Sequence, residues 1–80
     1  MNSVKTLVEE ARREYARHET EDSVLLDGTS EMHARNALGH LLNKRWDAAL
    51  DEARIAADQR LRWQHFLEIV TQIPGCRNVV

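Results

Sequence analysis

A single cysteine, Cys76, rules out an intramolecular disulfide in this 80-residue chain. A reducing compartment is then the simplest reading, and no cross-link is available to shore up a small core. Three scattered glycines, 28, 39 and 75, exclude a glycine-rich phosphate loop. No apolar run approaches the roughly 18 residues of a membrane span. Near the start, Glu9 and Glu10 interrupt any signal-like stretch, so the expected setting is soluble and cytoplasmic, with no membrane partner. A surplus of one charge is also missing. Eleven basic residues face thirteen acidic ones, which gives no broad pull toward nucleic acid or anionic lipid. Nine of the eleven are arginine, a bias that a G- and C-rich genome would also produce.

What the chain does have is helical periodicity, and the expected fold is all-α: one domain, 1–80, of three or four helices. The first helix is expected at about 3–18. Val4, Leu7, Val8, Ala11 and Tyr15 share one face, and Glu9, Glu10, Arg12, Arg13, Glu14 and Arg17 lie mostly on the other. Ser3 or Asn2 can cap it, and Glu9 with Arg13 makes a favourable pair four residues apart. A loop is expected over 19–29, because Glu19 to Ser23 is acidic and Asp27-Gly28 signals a turn. Val24, Leu25 and Leu26 would plug the core from that loop, or form a very short strand.

Thr29 or Ser30 opens a second helix, 30–43, with Ala34, Ala37, Leu38, Leu41 and Leu42 at helical spacing. Gly39 inside it suggests a close helix crossing. A tight break is expected at Asn43-Lys44-Arg45, with Asp47 favourably placed at the start of the next helix. The run Asn36 to Leu50 resembles the helix-turn-helix unit of tetratricopeptide repeats: Leu38-Gly39 stands in the first helix, and Trp46-Asp47 followed by Ala49-Leu50 opens the second. The turn is shorter than that family's and no second copy follows, so the resemblance implies only the helix break near Lys44.

The third helix is expected at about 46–73, ended by Pro74-Gly75, with a tail at 74–80. Its stripe runs Leu42, Trp46, Ala49, Ala53, Ala56, then Arg60, then Trp63, Leu67 and Val70, and widens through Phe66, Ile69 and Ile73. An unbroken helix of that length spans about 42 Å, more than the roughly 30 Å of a compact body this size. Its apolar end would then need a second chain, which makes a homodimer the expectation. A break around Asp58-Gln59-Arg60 would instead give four shorter helices packed as a monomer.

Catalytic groupings are not visible. His18, His33, His40 and His65 lack metal-ligand spacing, so they are read as surface or interface residues, and no metal or cofactor is expected. Cys76 has no base beside it and is read as a free tail thiol, its pKa nudged down by Arg77. Serines 3, 23 and 30 suit caps and turns. The expectation is therefore a non-enzymatic, protein-binding module, an adaptor or an inhibitor that occludes a surface of a larger protein. Trp46, Trp63, Phe66, Leu67, Val70 and Ile73 would supply apolar anchors, and Arg60 and Arg62 would orient the partner. On an unbroken seam Arg60 would need a carboxylate, a carbonyl or an anionic ligand, or would have to snorkel outward.

Two alternatives remain. One is a DNA-binding regulator presenting Lys44, Arg45 and Arg54, disfavoured because Asp47, Asp51, Glu52 and Asp58 share that helix. The other is a binder of a small anion held between subunits by Arg60 and a tryptophan.

Overall fold

Ser3 begins the first helix as its N-cap: its Oγ accepts the Thr6 backbone N–H at 3.1 Å, satisfying one of the donors a helix start leaves open. The computed structural model describes residues 3–22 and 28–77. Among them every element is helical: α1 (Val4–Asp22), α2 (Gly28–Leu42), α3 (Trp46–Gln59), a 3-10 turn (Leu61–Trp63), α4 (Gln64–Gln72) and α5 (Pro74–Arg77). The expected loop plug, Val24 to Leu26, lies outside the described residues.

Helix α1 runs to Asp22 rather than stopping near residue 18. Once a helix exists, each added residue gains a backbone hydrogen bond at little cost, and glutamate is a good helix former. Leu7, Ala11 and Tyr15 are buried as expected, but so is Glu14. It sits three residues after Ala11, on the edge of the buried face rather than on the polar side. The pair expected between Glu9 and Arg13 is instead formed by Arg12, 2.9 Å from Glu9.

Helix α2 begins at Gly28, two residues before the expected boundary. Its end is a complete Schellman closure. The Arg45 N–H donates to the His40 carbonyl at 2.8 Å and the Lys44 N–H to that of Leu41 at 3.1 Å, with Lys44 in the left-handed region at φ 58°. The Asn43 side-chain amide adds a bond to the Gly39 carbonyl at 2.9 Å. This confirms the break expected near Lys44. Helices α2 and α3 fold back on one another, and alanines 34 and 37 of the first and 49, 53 and 56 of the second are fully buried. A Cβ built at Gly39 meets nothing within 4 Å, so the close crossing expected at the glycine is not found.

The expected continuous helix over 46–73 is broken. Helix α3 ends at Gln59, and Arg60 is extended at φ −142°, ψ 127°, its N–H still closing onto the Ala56 carbonyl at 3.0 Å. Continuing the helix would hold the Arg60 charge on the seam between Ala56 and Trp63, where burial without a partner is costly. The break places Arg60 on the surface and turns Trp63 inward, to 1% exposure. An unbroken helix of about 42 Å would also exceed the molecule's longest dimension, 35 Å. Helix α4 instead folds back against α1 and α3. The wide apolar face expected to need a second chain is therefore covered by this chain's own helices.

After α4, Ile73 is extended, the conformation a following proline favours, and Pro74 opens the single turn α5. The expected tail at 74–77 is thus structured, and Cys76 within it is buried.

Candidate functional site

The eight residues expected to form an interaction surface divide sharply. Trp63, Phe66, Val70 and Ile73 are each at most 1% exposed and form the floor of the core, so as surface anchors they are corrected. Trp63 stacks on Tyr15 with centroids 5.7 Å apart at 23°, meets the edge of His18 at 5.3 Å, and stands T-shaped to Phe66 at 5.9 Å. Its Nε1–H is buried and finds no acceptor among the described residues. A tryptophan enclosed in this way cannot stack on a base or an anion beside Arg60. Leu67 and Arg62 are half-buried, Arg60 is exposed, and Trp46 is half-buried at the opposite end of α3.

Two polar clusters stand out, one within α1 and one between α2 and α3. The buried carboxylate of Glu14 lies 2.8 Å from His18 Nε2 and 3.6 Å from Arg17. Between α2 and α3, Glu52 Oε1 accepts His33 Nδ1–H at 2.7 Å and the Asn36 amide at 3.2 Å. The His33 bond, with Asn36 behind it, holds the Glu52 carboxyl below its usual range against the opposing effect of burial. Tyr15 OH accepts Arg35 Nε–H at 3.1 Å, joining α1 to α2. These contacts make His18 and His33 intramolecular braces rather than free surface groups. No group of three or more His, Cys, Asp or Glu among the described residues is placed to hold a metal ion. No helix among them is long and apolar enough to cross a membrane.

Cys76 is no exposed tail thiol. Its Sγ–H donates to the Trp46 carbonyl at 3.5 Å, and burial, with Asp47 nearby, pushes its pKa up to about 11, opposite to the expected lowering.

Among the described residues, three hollows bear on the candidate surface. One of about 250 Å³ between α1 and α4 is walled by polar, ionisable side chains, Glu10, Arg13, Glu14, Arg17 and His65, over Ile69. A second, of about 330 Å³, lies beside the helix break and is lined by Arg54, Ala57, Asp58, Leu61, Gln64 and Leu67. Leu61, at its edge, is 85% exposed. The third and most apolar, about 390 Å³, opens between the head of α1 and the α2–α3 turn. Val4, Val8, Leu41, Leu42 and Trp46 line it, with Lys5, Glu9 and Lys44 on its rim. Leu42 is 59% exposed although the sequence places it on the apolar stripe. It stands a quarter-turn from the axis through Ala34, Ala37 and Leu41, an offset readable from the spacing. Sequence reasoning found Trp46 in this trough but not Leu42, Lys5 or Lys44.

Trp46 is held from behind. A Cβ on Gly75 would fall 2.6 Å from its Nε1, so the ring packs directly onto the glycine backbone of α5. Compared with protein-family models, with curated proteins and with solved structures, the chain finds no match.

Proposed function

We propose that this chain is a small, non-catalytic protein-binding module, an adaptor or an inhibitor that covers a surface of a larger protein. The observation that carries the reading is the apolar trough between α1 and the α2–α3 turn, in which Leu42 stays 59% exposed beside a half-buried, braced Trp46. Interfaces draw their energy from a few such anchors, tryptophan foremost, set where water can be excluded around them. The catalytic candidates weigh the same way: Cys76 is enclosed with a raised pKa, and the buried carboxylate Glu14 is engaged by His18 and Arg17.

The partner need not be a second copy. The C-terminal apolar face that suggested a homodimer is occupied within the chain, so self-association would have to use other exposed apolar groups, among the described residues the trough, Met32, Ile55 or Leu61. Helices α2 and α3 pack on each other, with Asp47, Asp51 and Asp58 exposed along α3, which argues against a recognition helix lying on phosphate.

The test is affinity capture with the tagged full chain, beside a Leu42→Asp variant shown by circular dichroism to be folded. A discrete protein held by the parent, lost by the variant, and rebinding after separate purification supports the reading. Retention of nothing, or retardation of random duplex DNA at micromolar protein, overturns it.

A further inference from the structure

We infer that the trough takes an acidic amphipathic helix, its apolar side chains on Val4, Val8, Leu42 and Trp46 and its carboxylates on Lys5 and Lys44. This rests on the protein-binding reading above and names the chemistry of the partner. The chain has only two lysines, at positions 5 and 44, against nine arginines. They lie far apart in sequence, on α1 and in the α2–α3 turn, yet both stand on the rim of this one apolar hollow. Each is exposed. The acidic rim residue, Glu9, is bonded to Arg12 at 2.9 Å and also lies within electrostatic reach of Lys5, so the mouth holds two ammonium groups against one carboxylate already engaged by a guanidinium. An ammonium on a flexible stem reaches a carboxylate without the fixed geometry a guanidinium demands, which suits the flanks of a helix that seats by its apolar face.

Shape favours a helix over a small molecule. Val4 at 36% and Leu42 at 59% exposure make the walls low, so the trough would leave much of a compact ligand in water, whereas small-molecule sites enclose most of theirs. A helix bridges such a trough with side chains spaced i, i+3 or i+4, and i+7. Trp46, fixed by Gly75, gives that partner a rigid contact, which lowers the ordering cost of binding.

The test is selection from a displayed library of helix-forming peptides of about four turns, with randomised faces, against the immobilised full chain. The expected binders carry an apolar i, i+3/i+4, i+7 face flanked by Asp or Glu. They should lose about tenfold or more in affinity against a Lys5→Glu/Lys44→Glu double variant, and likewise against Leu42→Asp. Selection against the double variant should return basic flanks instead. Binders that are neutral or basic on the parent chain overturn the inference. Binders unaffected at the trough but lost by Leu61→Asp also overturn it while leaving the module reading intact. Oleate bound with no peptide retained makes the trough a lipid site, and parent self-association abolished by Leu42→Asp makes its occupant a second copy; either result overturns the proposal. If no peptide is retained at all, the helix inference falls, and the affinity capture with Leu42→Asp decides separately whether the module reading falls too.

Discussion

The indole of Trp46 occupies the space in which a side chain at position 75 would stand: a Cβ there would lie 2.6 Å from the indole Nε1. Alanine is otherwise the better helix former, by about 1 kcal/mol. Here sterics outweigh propensity, because the crowding atoms belong to a rigid ring rather than to the end of a flexible chain. Gly75→Ala is expected to destabilise the fold by about 1–3 kcal/mol, the usual cost of overpacking. Thermal melts by circular dichroism check this, and a melting point equal to or above the parent's would show that the ring moves freely aside.

Gly39 gives the opposite sign. A Cβ at that position meets nothing within 4 Å, and the glycine lies inside α2 with no positive φ. Its carbonyl accepts the Asn43 amide at 2.9 Å, a backbone contact that a methyl group leaves in place. Gly39→Ala is expected to stabilise the chain by about 0.5–1 kcal/mol, chiefly by restricting the unfolded state. For a domain of this size that raises the melting temperature by a few degrees. Calorimetry showing a lower melting point would mean the outer face of α2 is covered in solution.

These two glycines mark how far periodicity reads. Spacing locates a buried face, so Leu7, Ala11, Ala34, Ala37, Ala49 and Ala53 were legible as core, and Asn43-Lys44-Arg45 was legible as a break. It does not say what covers that face. The stripe from Trp46 to Ile73 is periodic through Arg60, and only the cost of a charge on the seam, set against the length of the body, favours the break that is found. That single turn decides whether Trp63, Phe66, Val70 and Ile73 face a partner or the chain's own α1. The trough was illegible for a related reason: Lys5 and Lys44 become neighbours of one hollow only after α1 has packed across the α2–α3 turn.

Glu52 sets an acid limit on the α2–α3 pairing. Its carboxyl titrates below the ordinary value of 4.5 because His33 Nδ1–H bonds it at 2.7 Å, with Asn36 assisting and burial opposing. A carboxyl whose folded pKa is depressed stabilises the fold fully above its unfolded value. That contribution is lost as pH falls from about 4.5 through the lower folded pKa. Glu52→Gln is therefore expected to be less stable than the parent at pH 7, and the gap should close below that range. Urea titrations at neutral pH and at stepped acid pH check it; a gap of constant size down to the acid end would assign the loss to packing rather than to charge.

The thiol of Cys76 reports on whether α5 stays closed. Only the thiolate reacts with disulfide reagents, and two features suppress it: 1% exposure, and a pKa raised to about 11 by burial with Asp47 adjacent. Labelling at mildly alkaline pH is expected to be orders of magnitude slower than that of a free cysteine, and to become complete in denaturant. Because Cys76 bonds the Trp46 carbonyl and Gly75 packs on the Trp46 ring, any opening of α5 exposes the thiol and loosens the trough wall together. Gly75→Ala should then accelerate labelling in step with its loss of stability, provided closing is faster than the chemical step. A native chain that labels as fast as free cysteine would mean α5 does not hold Trp46, and the braced anchor on which partner binding is argued would be lost with it.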